Sequence, residues 1–544
     1  MAFSMPPVSS SSSDTPQGTS PFSSVQAQSS LLEGTQWIFY HVWYLPPSSS
    51  DTQMSQEVFR KGSVLVKGQT IHSVHEADVP LYVLLKLLPH ARVIQLPDTL
   101  VLSPGLIEQH CHGGFGCDVM SGQLQTLHHF LRLLPSLGIT GVLPTLITAP
   151  EEKMLSALNA LEEVAHLSQQ HRARMLGIHL EGPFLNPQYR GAHPETALQP
   201  CSLSRMQRLL SPSVKLVTLA PELPGAIELI KFLVQKGIRV SIGHTNATSV
   251  QTQQALEAGA TCFTHAFNAM RALHHRTPGV LHTLLMNEVA YHEMIGDGVH
   301  LHPETMALLL KSRPRKKQLL VSDCMCLSGL PEDETHTFGG ELVGFKEGAM
   351  RQLQTGTIVG SALFVSQQIP LLVRQGLVTF ELALRMASEF IANHLGCHTK
   401  VGSITQGLFA DLVLWDRQTL NPMSTWVNGI CVIGQEHWLP YAQTAQQQQD
   451  ALHRDMPQGL VKGFSSMTSL SVSAATTSIP TQAPSMYTLP TQKQEIAHQP
   501  RMKVSEEESI TLAQASHHTP KAPPLPKKTE ELASQLEALV DFEF

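Results

Sequence analysis

The chain has 544 residues, 42% of them hydrophobic, with 37 basic against 44 acidic side chains and a formal net charge of −7. That balance can build a core, and it excludes the basic face or stripe that nucleic acid demands. No apolar run reaches the roughly 20 residues of a membrane-spanning helix. The N-terminus lacks the basic and apolar regions of a secretory signal, and the eight cysteines are scattered without a CxxC pair. The expectation is a cytoplasmic protein with reduced thiols and no membrane partner.

Residues 1–34 are rich in Ser, Pro, Gln and Thr and are expected to be disordered. Residues 35–103 carry short β-branched and aromatic runs punctuated by glycine, as in TQWIFYHVWYLP, and predict small β-strands. From residue 104 to 398 apolar strand-like runs alternate with helix-period stretches. The runs lie at 100–110, 140–148, 174–182, 214–222, 239–244, 260–267, 290–298 and 318–323. Eight such alternations predict an α/β fold, a (β/α)8 TIM-type barrel, with a doubly wound open sheet as the alternative. Residues 399–440 return to glycine-punctuated strands and are expected to pair with 35–103 in one split β-sandwich. Residues 441–544 are again of low complexity and expected to be disordered. They end in TEELASQLEALVDFEF, which would place Leu532, Leu536, Leu539 and Val540 on one helical face.

Polar residues at the strand ends carry the chemistry, because barrel sites form at the C-terminal mouth. Strand 1 offers His110 and His112, which alternate onto one face and are followed by Gly113, Gly114 and Gly116. Strand 3 offers His179 and Glu181, strand 5 His244, strand 6 His265, strand 7 Asp297 with His300, and strand 8 Asp323. Imidazoles and carboxylates in one cluster suit a divalent metal such as Zn or Fe, and a metal kept open to water suits hydrolysis. Such a metal lowers the pKa of water toward neutrality, and Asp323 is placed to take a proton and return it to a leaving group. Cys324 and Cys326, beside Asp323, read as packing residues.

The segments PGLIEQHCHGGFG (104–116), GIHLEGPFLNPQYRGAHP (177–194), VTLAPE (217–222) and SIGHTNA (241–247) resemble the amidohydrolase superfamily. So do THAFNAM (264–270), HHRTPG (274–279), GDGVHLHP (296–303), VSDC (321–324), GTIVGSAL (356–363) and GSITQGLFADLVLWD (402–416). HLEGPF, GAHP, FNAM and RTPG narrow the resemblance to the N-acetylglucosamine-6-phosphate deacetylases. The resemblance implies hydrolysis of the N-acetyl group of N-acetyl-D-glucosamine 6-phosphate to D-glucosamine 6-phosphate and acetate, in amino-sugar recycling or catabolism. It implies that Glu181, His244 and His265 hold the principal divalent metal, that His110 and His112 can hold a second, and that Asp323 is the catalytic acid and base. It further implies that His193 contacts substrate near the acetyl group and that Asn268 and Ala269 bind through the loop after strand 6. Arg276 and His300 would hold phosphate and sugar, with Arg276 reaching into a neighbouring subunit of a homodimer.

Three features depart from the family pattern. Glu108 replaces the usual Asp before the HxH pair, CMCLSG follows Asp323, and residues 331–350 are expected to form a flap at the mouth. Two rival readings stay open on sequence. One is another amide or cyclic-amide hydrolase, for which Lys215 lies too early to act as a bridging lysine; the other is a silent sugar-phosphate-binding scaffold. Zinc against iron or manganese, one ion against two, and the epimer of the amino sugar also remain open.

Overall fold

The barrel is built from strands that are buried along nearly their whole length, with Lys215, Arg239 and Tyr291 near strand starts as the more open positions, as suits parallel strands covered by helices. In the computed structural model, which describes residues 36–48, 58–167, 171–444 and 447–448, eight of these run in chain order around one sheet. They are β1 (Leu106–Cys111), β2 (Ile139–Leu146), β3 (Ile178–Glu181), β4 (Val214–Leu219), β5 (Arg239–Ile242), β6 (Cys262–Phe263), β7 (Tyr291–Ile295) and β8 (Gln318–Val321). Each pairs in parallel with the next, from Glu108 opposite Val142 to Ile295 opposite Val321. The ring closes just past the ends of β8 and β1. There Asp323 N–H donates to His110 O at 3.0 Å and His112 N–H donates to Cys324 O at 2.8 Å. Sequential order with closure is the TIM-type barrel; a doubly wound sheet would reverse its strand order and leave two edges.

The helices between strands follow from their sequence pattern. Glu151–His166 buries Met154, Ala157, Leu158, Leu161 and Val164, a stripe at helical spacing. Ser249–Glu257 starts on a capping box between Thr248 and Gln251 and stops before Gly259, at φ 109°. β6 is shorter than its apolar run suggests. His265, Phe267 and Ala269 all take positive φ, which ends the pleat and turns the following loop across the mouth. Gly113, at φ 144°, turns the chain out of β1 into a small hairpin, and a Cβ there would lie 1.9 Å from Cys117 O.

The two segments flanking the barrel do meet. Their union is a continuous eight-stranded sheet in the order 430–433, 422–427, 412–416, 100–104, 36–44, 60–67 and 70–76, with 92–94 paired beside 36–44. Alternate residues of Gln36–Tyr44 face opposite ways: Trp37 and Phe39 join one apolar cluster, and Ile38 joins a second together with helix Leu81–Leu87. Both faces of the sheet are therefore packed. Trp37, Phe39, Trp426 and Trp438 form an aromatic group with ring centroids 5.1–6.4 Å apart. The indole N–H of Trp37 donates to Gly429 O at 2.8 Å, which ties the N-terminal segment to the C-terminal one.

Residues 331–361 form a four-stranded antiparallel sheet, Thr335–Phe338, Glu341–Lys346, Ala349–Gln352 and Ile358–Ser361, at the mouth where the flap is expected. No helix among the described residues is long and apolar enough to cross a membrane. The expected disordered tail 1–34 and the expected terminal helix at 529–544 lie outside the described residues, as does nearly all of 441–544. Replacing Trp426, fully buried between the two flanking segments, by Ala should cost about 3–5 kcal/mol of stability in denaturant unfolding. A loss below about 1 kcal/mol, the range of minor surface changes, would mean that this aromatic group does not hold the segments together.

Candidate active site

Glu181, the last residue of β3, is the hub. Its Oε1 lies 3.0 Å from His244 Nε2, 3.1 Å from His265 Nε2 and 3.5 Å from His110 Nε2. Its Oε2 lies 3.2 Å from His193 Nε2 and 3.3 Å from His112 Nε2. Asp323 Oδ1 completes the group, 3.2 Å from His112 Nε2 and 3.5 Å from His110 Nε2. Backbone conformation aims several of these groups. His244, His265 and Asp323 follow β5, β6 and β8 at φ 48°, 27° and 55°, the sparsely populated left-handed region, which for side chains of this size is held by the surrounding structure.

The outer hydrogen bonds decide which ring nitrogens carry hydrogen. Nδ1–H of His244 donates to Tyr189 O at 2.9 Å and Nδ1–H of His112 to Thr145 O at 3.1 Å. Nδ1–H of His110 donates to Glu293 Oε2 at 2.9 Å. A carbonyl or carboxylate can only accept, so in each neutral ring Nε2 is a lone pair pointing at the hub. His193 is the opposite case. Thr148 N–H donates to its Nδ1 at 3.2 Å, so its Nε2 bears the hydrogen and donates to Glu181. Four imidazoles, those of His110, His112, His244 and His265, aim Nε2 at the hub, with His265 Nδ1 unpartnered among the described residues; the fifth, His193, is a donor.

Burial and charge set the ionisation. Burial opposes charge on Glu181, but His110, His244 and His193 outweigh it and hold the carboxyl well below the usual range. Burial likewise opposes charge on Asp323, and His110 and His112 bring its carboxyl below the ordinary value. Desolvation pushes His244 down to about 4, whereas the bonds of His112 to Asp323 and Glu181 overcome desolvation and lift it to about 9. Glu108 lies under the site, accepting from Ser322 Oγ–H at 3.0 Å and Val365 N–H at 3.1 Å, and burial lifts it to about 8. It ties β1 to the residue after β8 and to the start of helix Val365–Arg374.

The donor set fits a divalent metal. Bonds of about 2.0–2.2 Å to one ion place its ligand atoms roughly 3–3.5 Å apart, the spacing found among Glu181, His244 and His265. Two triads bring their ligand atoms within 4.8 Å of one another, Glu181 with His244 and His265, and Glu181 with His110 and His112. Among the described residues His110 Nε2 is buried without a hydrogen-bond partner, as a nitrogen reserved for a cation would be.

A cavity of about 290 Å³ opens above the hub. His112, Glu181, His193, His244, His265 and Asp323 form its polar floor, Asn268, Ala269 and His300 line it, and Ile147, Ala192, Phe338 and Val359 supply apolar wall. Phe338, from the flap, sits with its ring 6.1 Å from that of His112. His300 is oriented by Asp297, which accepts its Nδ1–H at 2.7 Å and its backbone N–H at 3.0 Å, so that Nε2 is left for a ligand. Asp297 is thus a support. Arg276 stands on an exposed loop outside the cavity of its own chain. His179 points into the barrel interior, bonded to Thr218 Oγ at 2.8 Å. Lys215, near the start of β4, turns Nζ to Pro212 O. Tyr189, Thr145, Thr148 and Glu293 were not singled out from sequence. Only Glu293 left a signal there, a carboxylate inside the apolar run of β7.

The chain belongs to the amidohydrolase family, whose pattern matches residues 101–434. It is 37% identical over 331 residues, 60% of this chain and 83% of the other, to an N-acetylglucosamine-6-phosphate deacetylase of Bacillus subtilis. It is 35% identical over 338 residues, 61% of this chain and 88% of the other, to an N-acetylgalactosamine-6-phosphate deacetylase of Escherichia coli O157:H7. A solved N-acetyl-D-glucosamine-6-phosphate deacetylase from Mycobacterium smegmatis, a mutant in complex with N-acetyl-D-glucosamine-6-phosphate, matches 74% of this chain and all of its own, with a TM-score of 0.66 at 27% identity.

Replacing His265 by Asn should remove one of the three candidate ligand atoms of the Glu181–His244–His265 triad. Metal counted after dialysis should then show a loss of affinity beyond the about 10–100-fold typical of outer-sphere changes. Full retention of metal would exclude His265 as a ligand.

Proposed function

We propose that the protein is a metal-dependent hydrolase that removes the acetyl group from N-acetyl-D-glucosamine 6-phosphate, giving D-glucosamine 6-phosphate and acetate in amino-sugar metabolism. The observation that carries this reading is the union, on one cavity floor, of the Glu181–His244–His265 triad with an ionised Asp323 and a hydrogen-donating His193. A divalent ion, zinc or iron, bound by Glu181, His244 and His265 supplies Lewis acidity and brings the pKa of water toward neutrality. His110 and His112, with Glu181 shared, would hold a second ion.

The chain's own groups perform the rest. Asp323, held ionised by its histidine neighbours, takes a proton from the attacking water as the water oxygen bonds to the acetyl carbon. His193 Nε2–H donates to the carbonyl oxygen as negative charge builds there. Its direction is preset because Thr148 N–H occupies Nδ1. Asp323 then delivers the proton to the amide nitrogen as the C–N bond breaks, so one water is consumed and the amine leaves neutral. Ile147, Ala192, Phe338 and Val359 offer apolar contact for the acetyl methyl and screen the floor from bulk water.

His300, fixed by Asp297, and the loop carrying Asn268 and Ala269 would bind the sugar. Arg276 would hold the phosphate of a neighbouring subunit in a homodimer. Its exposed position, away from its own cavity, supports that role, and its planar fork suits a phosphate dianion.

Metal-loaded protein should release acetate rapidly from N-acetylglucosamine 6-phosphate and only weakly from the unphosphorylated sugar. Asp323→Asn should lower kcat by about 10²–10⁴-fold with metal content retained. Faster turnover of the 6-phosphate of N-acetylgalactosamine would reassign the epimer. No acetate from any of these would overturn the deacetylase reading, and wild-type kcat in Asp323→Asn would overturn the role of that residue.

A further inference from the structure

β7 places a second carboxylate, Glu293, behind the site and out of the cavity. It is fully buried, and each oxygen has a defined task. Oε2 accepts Nδ1–H of His110 at 2.9 Å and the backbone N–H of His265 at 3.1 Å, while Oε1 accepts Nε2–H of Gln109 at 2.6 Å. Gln109 is itself steadied by His394, whose Nδ1 lies 3.0 Å from Gln109 Oε1. One buried carboxylate therefore braces a side chain from one metal triad and the backbone of a ligand from the other.

We propose that Glu293 is the positioning residue of the His110–His112 half of the site. It holds His110 in the Nδ1–H form, so that Nε2 becomes a ligand for a second divalent ion sharing Glu181. This rests on the metal-dependent reading above. An ionised carboxylate can only accept, so a neutral His110 bonded to it must keep its hydrogen on Nδ1. Its Nε2 then stands buried, 3.5 Å from Glu181 Oε1 and 3.5 Å from Asp323 Oδ1, with no hydrogen-bond partner among the described residues. His112 and His244 are held by neutral carbonyls; His110 is held by a full charge, which also makes its ring a stronger electron donor to a cation.

Glu293→Gln tests the charge without emptying the space. The amide oxygen can still accept from His110 and His265, and Gln109 can turn its own amide to accept from the new NH₂. The metal-free full chain would be titrated with Co²⁺, following chelator competition for affinity and the visible cobalt bands for geometry, with His110→Asn alongside. The expected result is two ions in the wild type and one in His110→Asn. Glu293→Gln should bind its first ion with wild-type affinity and its second about 10–100-fold more weakly, with altered bands for the second ion only.

Wild-type affinity and bands for both ions in Glu293→Gln would overturn the proposal while leaving the metal-dependent reading intact. Equal weakening of both ions would also overturn it, since a general structural brace would act on both. A single ion in both the wild type and His110→Asn would overturn it together with the second-ion reading, and acetate release would still judge the deacetylase reading separately.

Discussion

One carboxylate dictates the rest of this site. Glu181 is buried at the end of β3 with five imidazole Nε2 atoms within 3.0–3.5 Å of its two oxygens. A buried charge is tolerated only when paired and hydrogen-bonded, yet only His193 is committed by its other bonds to donate a hydrogen to Glu181. When neutral, His110, His112 and His244 present lone pairs there. Several lone pairs converging on a negative oxygen repel one another unless protons or a cation stand between them. Without metal, His110 and His112 relieve this by taking protons, as the upward shift of both shows. With metal, a cation replaces those protons.

The barrel supports this arrangement from outside the cavity. Tyr189 O, Thr145 O and Glu293 each claim one Nδ1–H, so three histidines offer the same face to the hub. Thr148 N–H claims the other kind of nitrogen on His193 and so separates a donor from the other four histidines. The closing contacts of the barrel, Asp323 N–H to His110 O and His112 N–H to Cys324 O, lie at the site itself. Ring closure and the proximity of Asp323 to the HxH pair are therefore one structural event.

Much of this was legible in sequence because strand ends in a barrel converge, whatever the helices between them do. His110, His112, Glu181, His244, His265 and Asp323 could be read as a cluster from position alone, and the structure brings them together. His179 could not be sorted from Glu181 by the same logic. Both sit at alternate positions on β3, and only packing shows that Thr218 claims His179 inside the barrel. The supports were hidden for a different reason. Tyr189 and Thr145 act through backbone carbonyls, which no side-chain pattern encodes, and Thr148 acts through its backbone N–H as well as its hydroxyl, 2.9 Å from His193 Nδ1. β6 looked longer than it is because two left-handed residues, His265 and Phe267, interrupt an apolar run, and the flanking strands gave composition but not the continuity of their sheet. Arg276 illustrates a further limit, because its proposed partner is a second copy of the chain.

The most direct measurement is anomalous diffraction at the metal edge from crystals of the metal-loaded protein. The prediction is a peak bonded to Glu181 Oε1, His244 Nε2 and His265 Nε2, at about 2.0–2.2 Å from each. Metal bound elsewhere, with these three side chains bonded only to one another, would contradict the view that Glu181 gathers its histidines around a cation.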